Sequence, residues 1–333
     1  MKIEKSVRAM KNRRGKLYNA KTPLTIPKID FIREELKKDA TSLTVDHAQP
    51  NVNIQERINE ASLQLKNIFQ DIRNEGKIQL DKIVLIKAKV APVIAEAAKN
   101  PDVYYLFEEL QANNEYTYKH NIGVGIIATY LGMKLGLSKE NLSALTLAAT
   151  LHDVGKTRIP DSILEKPGKL TAAEYEEMKR HAIYGYELLK SIPGIPPSIA
   201  LTALQHHERE DGKGYPHGLM GNDIHHHAKI VAIADVFHAM SSNRVYHRAM
   251  PFYKVIEQMN SDKFGKFNPE ILMEFVNRLM STLVGKEVTL TNGRNGTIIM
   301  IDPYDPLKAL LKTGTEIIDL RMEKEWQIER IIG

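Results

Sequence analysis

The chain has 333 residues, 43% of them apolar and 26% charged, with a net charge of +5 and no cysteine. That size and balance fit a globular protein with a sizeable core and exclude a mainly disordered or fibrous chain. The missing thiols exclude disulfides, thiolate-bound zinc and cysteine nucleophiles, so any metal must be held by histidine and carboxylate.

The N-terminus, Met1-Lys2-Ile3-Glu4-Lys5, has no apolar stretch of the kind a secretory signal needs. No apolar run reaches the ~20 residues of a membrane span, and the expected location is the cytoplasm. The basic run Lys11 to Lys16 reads as a solvated tail; without aromatic interleaving, nucleic-acid contact is not expected. Residues 1–50 form a poorly specified segment that closes in a polar linker around Asp46 to Asn51. Residues 51–112 turn helical: Ile58, Leu63, Leu65, Ile68 and Ile72, then Leu80, Ile83, Val84, Ile86, Val90, Val93, Ile94 and Ala97 recur at steps of three and four. Two helices separated near Gly76 are predicted, serving as a helical linker or regulatory segment or as a coiled-coil arm of a homodimer.

Residues 113–284 carry a helical pattern broken at glycines and prolines, which predicts a bundle with functional loops. Residues 285–333 change character. Val288-Thr289-Leu290, Thr297 to Ile301 and Ile317 to Leu320 read as strands, with turn signals at Asn292-Gly293 and Asn295-Gly296. The fold class is therefore mainly α, a helical bundle with an N-terminal helical or mixed segment and a small C-terminal β unit.

Within the bundle, His152-Asp153 closes the apolar run Leu145 to Leu151, and Asp235 lies inside Ile233-Ala234-Asp235-Val236-Phe237. A polar group embedded in apolar sequence is costly to bury unless it finds strong partners, and cations are such partners. His120, His181 and the pair His206-His207 complete the set. One buried histidine is usually a satisfied core residue, but five such segments together point to a metal centre. A histidine and aspartate shell without thiolate favours iron, manganese or zinc over magnesium or calcium. More than four candidate ligands imply two ions, an arrangement suited to displacement at phosphorus. Lys156, after Gly155, offers a further cation for a phosphate oxygen. In Asp211-Gly212-Lys213-Gly214-Tyr215-Pro216 the glycines permit φ > 0 and the proline stiffens the exit, with Glu208 and Asp211 expected to order the loop. His225-His226-His227 is expected to be a solvent-exposed loop or helix start, and His217 and His47 are read likewise.

These segments, in this order and from about Asn113 to Leu283, resemble an HD-GYP domain, the HD-superfamily phosphodiesterases that hydrolyse cyclic di-GMP. The resemblance implies an HD-type bundle in which His120, His152, Asp153, His181, His206, His207 and Asp235 bind two divalent ions, Fe or Mn ahead of Zn, with Asp153 bridging. It implies catalytic roles for Asp153 and Lys156, substrate contacts by Lys156, Arg244, Tyr215 and Arg248, and opening of cyclic di-GMP to linear pGpG and onward to GMP. It also implies contact of the Gly214 to Pro216 loop with cyclase (GGDEF) domains. Some family members carry a glutamate four residues before the first histidine, which supports a third metal. Tyr116 stands there in this chain, so two metals are expected. His238 stands where the family has a second aspartate, which replaces an anionic group with a titratable one. Two alternatives share the same ligands: a catalytically weak cyclic di-GMP sensor or cyclase-binding module, and an HD phosphohydrolase for another cyclic dinucleotide.

Overall fold

The first helix, α1 (Asn51–Glu75), buries Ile58, Ala61, Leu65, Ile68, Phe69 and Ile72, one face at steps of three and four. It ends at Gly76, whose φ of 69° suits a helix C-terminus and whose N–H is donated to the Ile72 carbonyl. The structure is a computed structural model that describes residues 51–100, 116–242, 250–323 and 325–332. After Gly76 come α2 (Leu80–Leu85), a π-helical turn (Ile86–Val90) and α3 (Ala91–Ala97). The expected break near Gly76 is present. Leu63, Leu80 and Val84, counted in the apolar pattern, are instead more than half exposed. The buried stripe of α1 packs on α3 and on the bundle helix α4 of its own chain, which gives that stripe an occupant without a coiled-coil partner.

The bundle comprises α4 (Tyr116–Lys134), α5 (Lys139–Leu151), a 3-10 turn (Val154–Arg158), α6 (Asp161–Leu164), α7 (Ala172–Lys179), α8 (His181–Lys190), α9 (Pro197–Gln205), α10 (His226–Ser241), α11 (Phe252–Ser261) and α12 (Pro269–Ser281). Local signals set several starts. Ser138 accepts from the Asn141 N–H to cap α5, and Thr171 with Glu174 forms a reciprocal capping box on α7. Ile122, Val124, Ile126, Ile127 and Leu131 of α4 are all fully buried, so α4 is the central helix, with α5 and α10 packed on it. The 3-10 turn seats directly on α8. A Cβ on Gly155 would lie 1.9 Å from the His181 carbonyl oxygen and 2.4 Å from the Gly185 nitrogen, so only glycine permits this approach. No helix among the described residues is long and apolar enough to cross a membrane.

Five antiparallel strands follow, β1 (Glu287–Leu290), β2 (Asn295–Ile301), β3 (Ala309–Thr313), β4 (Glu316–Asp319) and β5 (Ile328–Ile331), in sheet order β4-β3-β2-β1-β5. Asn292-Gly293 makes the β1–β2 turn, with Gly293 at φ 81°. Asn295-Gly296, expected as a second turn, lies inside β2, where Gly296 pairs with Val288 in the ladder; pairing overrides the local signal. Val288, Leu290, Ile298, Leu311 and Ile328 join the same buried core as α11 and α12, and the Tyr253 hydroxyl of α11 donates to the Leu307 carbonyl. Residues Asn51–Gly333 form one compact unit.

Gly155→Ala has no flexible neighbour to displace. It is expected to cost about 2 kcal/mol or more and lower the Tm by roughly 5 °C or more, read by circular dichroism. Gly76→Ala, where φ is 69° but nothing lies within 4 Å, should cost only about 1 kcal/mol. Equal Tm values for Gly155→Ala and the parent chain would contradict the packing described.

Candidate metal centre

Helix ends deliver the polar residues. His152 is the residue at which α5 stops, Asp153 opens the 3-10 turn, His206 ends α9 with His207 next, and His181 begins α8 where α7 finishes. His120 and Asp235 face the same space from α4 and α10. Three imidazoles are fixed in one way: Nδ1 of His152, His181 and His206 donates to the carbonyl three residues earlier, Ala149 at 2.7 Å, Met178 at 2.7 Å and Ala203 at 2.9 Å. A carbonyl can only accept, so each Nδ1 carries the proton and each Nε2 presents a lone pair to the interior.

The side chains fall into two groups whose ligand atoms lie within 4.8 Å of one another: Asp153, His181, His206 and His207, and His120, His152 and Asp235. Asp153 faces both. Its Oδ1 is 3.4 Å from His181 Nε2 and 3.9 Å from His206 Nε2, and its Oδ2 is 3.4 Å from His152 Nε2 and 3.9 Å from His120 Nε2. Asp235 Oδ1 lies 3.1 Å from His120 Nε2.

Burial drives the electrostatics. It holds His206 well below the usual imidazole range, His207 down at about 3 and His181 at about 4, each against partial opposition from Asp153. His120 is also lowered by burial, with Asp235 opposing. For His152, burial is outweighed by Asp153 and Asp235, and its pKa rises. Burial also works to protonate the carboxyls, but Lys156, His152 and His181 keep Asp153 well below the carboxylate range, and His120 and His152 do the same for Asp235. Both acids are therefore anions, and burial keeps His120, His181, His206 and His207 neutral beside them. His152 Nε2 and Asp153 Oδ1 are buried with no hydrogen-bond partner among the described residues. Orphaned acceptors of this kind, converging from nitrogen and oxygen donors, fit divalent cations, and the buried cluster is able to hold metal ions.

A cavity of about 420 Å³ opens onto this floor, lined by His120, Asp153, Lys156, His207 and Asp235 and walled by Leu164, Met178 and Met240. Lys156 Nζ lies 2.5 Å from Asp153 Oδ2. Tyr215 is set beside the cavity, its ring stacked on His207 at 4.6 Å and 28°. Its phenol is pushed up chiefly by burial and so keeps its proton. The loop bearing it is ordered as the sequence suggests: the Glu208 carboxylate accepts from the N–H groups of His217 at 2.7 Å and Leu219 at 3.0 Å, and Asp211 accepts from the Lys213 N–H. Gly212 has the expected positive φ of 72°. Gly214 does not; it is needed because a Cβ would come within 2.5 Å of the Glu208 Cα and the His207 carbonyl oxygen.

The structure thus brings eight of the predicted residues to one place and adds Tyr215 at its edge, whereas Arg244 and Arg248 lie outside the described residues. His238 Nδ1 stands 3.0 Å from His120 Nδ1, the position from which it orients that ring. His227, expected in solvent, is buried at 5% exposure. His225 caps α10 by accepting from the His227 N–H, which turns the second residue of the helix inward. The backbone carbonyls of Ala149, Met178 and Ala203 were not foreseeable as partners from residue type, although the three-residue offset from each histidine is a readable signal.

Comparison with known proteins agrees with this geometry. A family model described as HD domain matches residues 105–271, half of the chain. The chain is 33% identical to a cyclic di-GMP phosphodiesterase of Pseudomonas aeruginosa over 73% of its own length and 61% of that protein. It is 37% identical to a 3'3'-cGAMP-specific phosphodiesterase of Vibrio cholerae over 51% of its own length and 33% of that protein. The chain thus spans less than two thirds of either relative. An HDG"Y"P protein from Bdellovibrio bacteriovorus shares the fold, with a TM-score of 0.55 at 18% identity over 74% of this chain and 78% of that one.

A cation that binds only the folded chain raises its stability by about 2.7 kcal/mol at a hundred times the Kd. Adding Mn²⁺ or Fe²⁺ to chelator-treated protein should therefore raise the Tm by several degrees, and Asp153→Ala should abolish the rise. An unchanged Tm in the parent chain over a wide metal range would contradict the centre.

Proposed function

Because the chain belongs to the HD domain family, and within it to the HD-GYP type, we propose that it is a metal-dependent phosphodiesterase that opens cyclic di-GMP to linear pGpG and onward to GMP. The observation that carries this reading is Asp153, whose two oxygens face two separate histidine groups on the floor of an open cleft. His181, His206 and His207 would hold one ion and His120, His152 and Asp235 the other, with Asp153 shared. Two ions match the ligand set, and the mixed nitrogen and oxygen donors suit iron or manganese. Such a pair supplies Lewis acidity toward a phosphodiester and a water acidified to near-neutral pKa.

The protein's own groups do the rest. The carbonyls behind His152, His181 and His206 hold the imidazoles in the tautomer that points Nε2 inward. Lys156, 29% exposed at the cleft, is placed to leave Asp153 for a phosphate oxygen whose charge grows in the transition state. Leu164, Met178 and Met240 keep one wall dry, which strengthens those charge interactions. Tyr215 presents a protonated phenol beside His207 as a substrate contact, and Arg244 and Arg248 are proposed phosphate contacts. The half-buried Gly214 to Pro216 loop remains a candidate surface for a cyclase domain.

Two observations favour variations on this theme. The similarity to a 3'3'-cGAMP-specific enzyme supports a different cyclic dinucleotide as substrate. His238 beside His120 supports a slower, more sensor-like protein, because an imidazole is a weaker acceptor from the His120 N–H than a carboxylate.

Metal-loaded protein assayed with cyclic di-GMP, 3'3'-cGAMP and cyclic di-AMP should turn over the first fastest. Asp153→Ala should lose on the order of 10³-fold in kcat or more, Lys156→Ala about 10²-fold, and His238→Asp should gain. Tight cyclic di-GMP binding without turnover under any metal would instead establish the sensor.

A further inference from the structure

One side chain of α1 reaches the turn that follows Asp153. Arg73, in the last turn of α1, donates through Nη2 to the Lys156 carbonyl at 3.1 Å and through Nη1 to the Ile159 carbonyl at 3.3 Å. The same guanidinium pairs with the carboxylate of Asp161, the first residue of α6. The Lys156 carbonyl lies in the middle of the five-residue 3-10 turn and the Ile159 carbonyl just past its end, and 3-10 turns are in general held by poorer hydrogen-bond geometry than α-helices. The arginine reaches two carbonyls and a carboxylate from two separate nitrogens held in a planar fork, a spread that the single nitrogen of a lysine does not have.

Two more contacts tie the same helix to the site. Arg158, within the turn, donates to the Gly76 carbonyl just past α1 at 3.3 Å and to Glu187 of α8 at 3.0 Å. Phe69, one helical turn before Arg73, meets Tyr118 edge-on at 5.8 Å and 84°, two residues before His120. So α1 borders the flanks of both histidine groups.

We propose that Arg73 is a positioning residue: it fixes the main chain of Lys156, so that the ammonium is presented to the cleft and α1 moves with the turn as one body. The lysine's long side chain needs a fixed base, because its Nζ must pass from its hydrogen bond with Asp153 to a bound phosphate oxygen. Without the guanidinium, the Lys156 carbonyl keeps its bond from the Ile159 N–H at 3.1 Å, while the Ile159 carbonyl loses its clamp to α6. With the guanidinium in place, a displacement of α1 is felt at Lys156 directly rather than through the apolar core.

The kinetic arm of the test rests on the phosphodiesterase reading; the exchange arm does not. Full-length, metal-loaded protein is compared as parent, Arg73→Met, Arg73→Lys, Lys156→Met and the double variant. Arg73→Met should lower kcat on cyclic di-GMP roughly 10- to 100-fold with KM changed less than about twofold, the size expected for charge-assisted hydrogen bonds that act through geometry. Arg73→Lys should recover only part. In the Lys156→Met background, Arg73→Met should have no further effect on kcat, since it acts through that side chain. Independently, amide hydrogen exchange across residues 154–161 should quicken about 10-fold in Arg73→Met, with α12 and the sheet unchanged. Multiplicative losses in the double variant, a kcat within twofold of the parent in Arg73→Met, or unchanged exchange in that segment would each overturn the proposal. A parent protein without turnover would overturn the phosphodiesterase reading instead, and the exchange result alone would then decide on Arg73.

Discussion

Five imidazoles and two carboxylates share one buried floor in this protein, and the structure depends on how that cluster is satisfied. Removing an ionised carboxylate from water is among the costliest steps in folding unless opposite charge is supplied close by. Here the surroundings are used up from behind. Main-chain carbonyls take the Nδ1 protons of three histidines, which turns every Nε2 lone pair and both Asp153 oxygens toward one another. Acceptors facing acceptors repel, and Lys156 alone reaches in with a positive charge among the described contacts of Asp153 that are not imidazoles. The buried cluster is able to hold divalent cations, which would resolve that arrangement.

The bundle serves this cluster through its helix ends rather than its helix faces. α5, α7 and α9 each stop at or next to a histidine, and the last carbonyls of a helix, which lack partners of their own, become the acceptors that fix the rings. Gly155 lets the 3-10 turn lie against α8 closely enough for Asp153 to reach His181 as well as His152. The backside of the turn is held by Arg73 of α1, which places the N-terminal helix in the mechanical surroundings of the site.

Much of the centre is legible in the sequence because its residues break a pattern. His152-Asp153 interrupts an apolar helix, and Asp235 sits alone between isoleucine, alanine, valine and phenylalanine; such residues are kept only where something strong meets them. Other features have no such mark. Asn295-Gly296 has the composition of a turn, and only the pairing of β2 with β1 shows that it is strand. His227 belongs to a polar tract, and its burial follows from a cap that His225 makes locally. Gly214 is required by an approach of backbone to backbone, which composition does not encode. Arg73 is one charged residue on an amphipathic helix, and its partners lie more than eighty positions away along the chain, beyond the reach of any local pattern.

The cleft, the loop bearing Tyr215 and the clamp from α1 all gain their meaning from cations on the floor. Metal analysis of anaerobically prepared full-length protein, alongside Asp153→Ala, tests that most directly. Two iron or manganese ions per chain in the parent, and loss of both in the variant, are the predicted result. A parent chain that holds no ion after equilibration with iron, manganese and zinc, while remaining folded, would contradict the account.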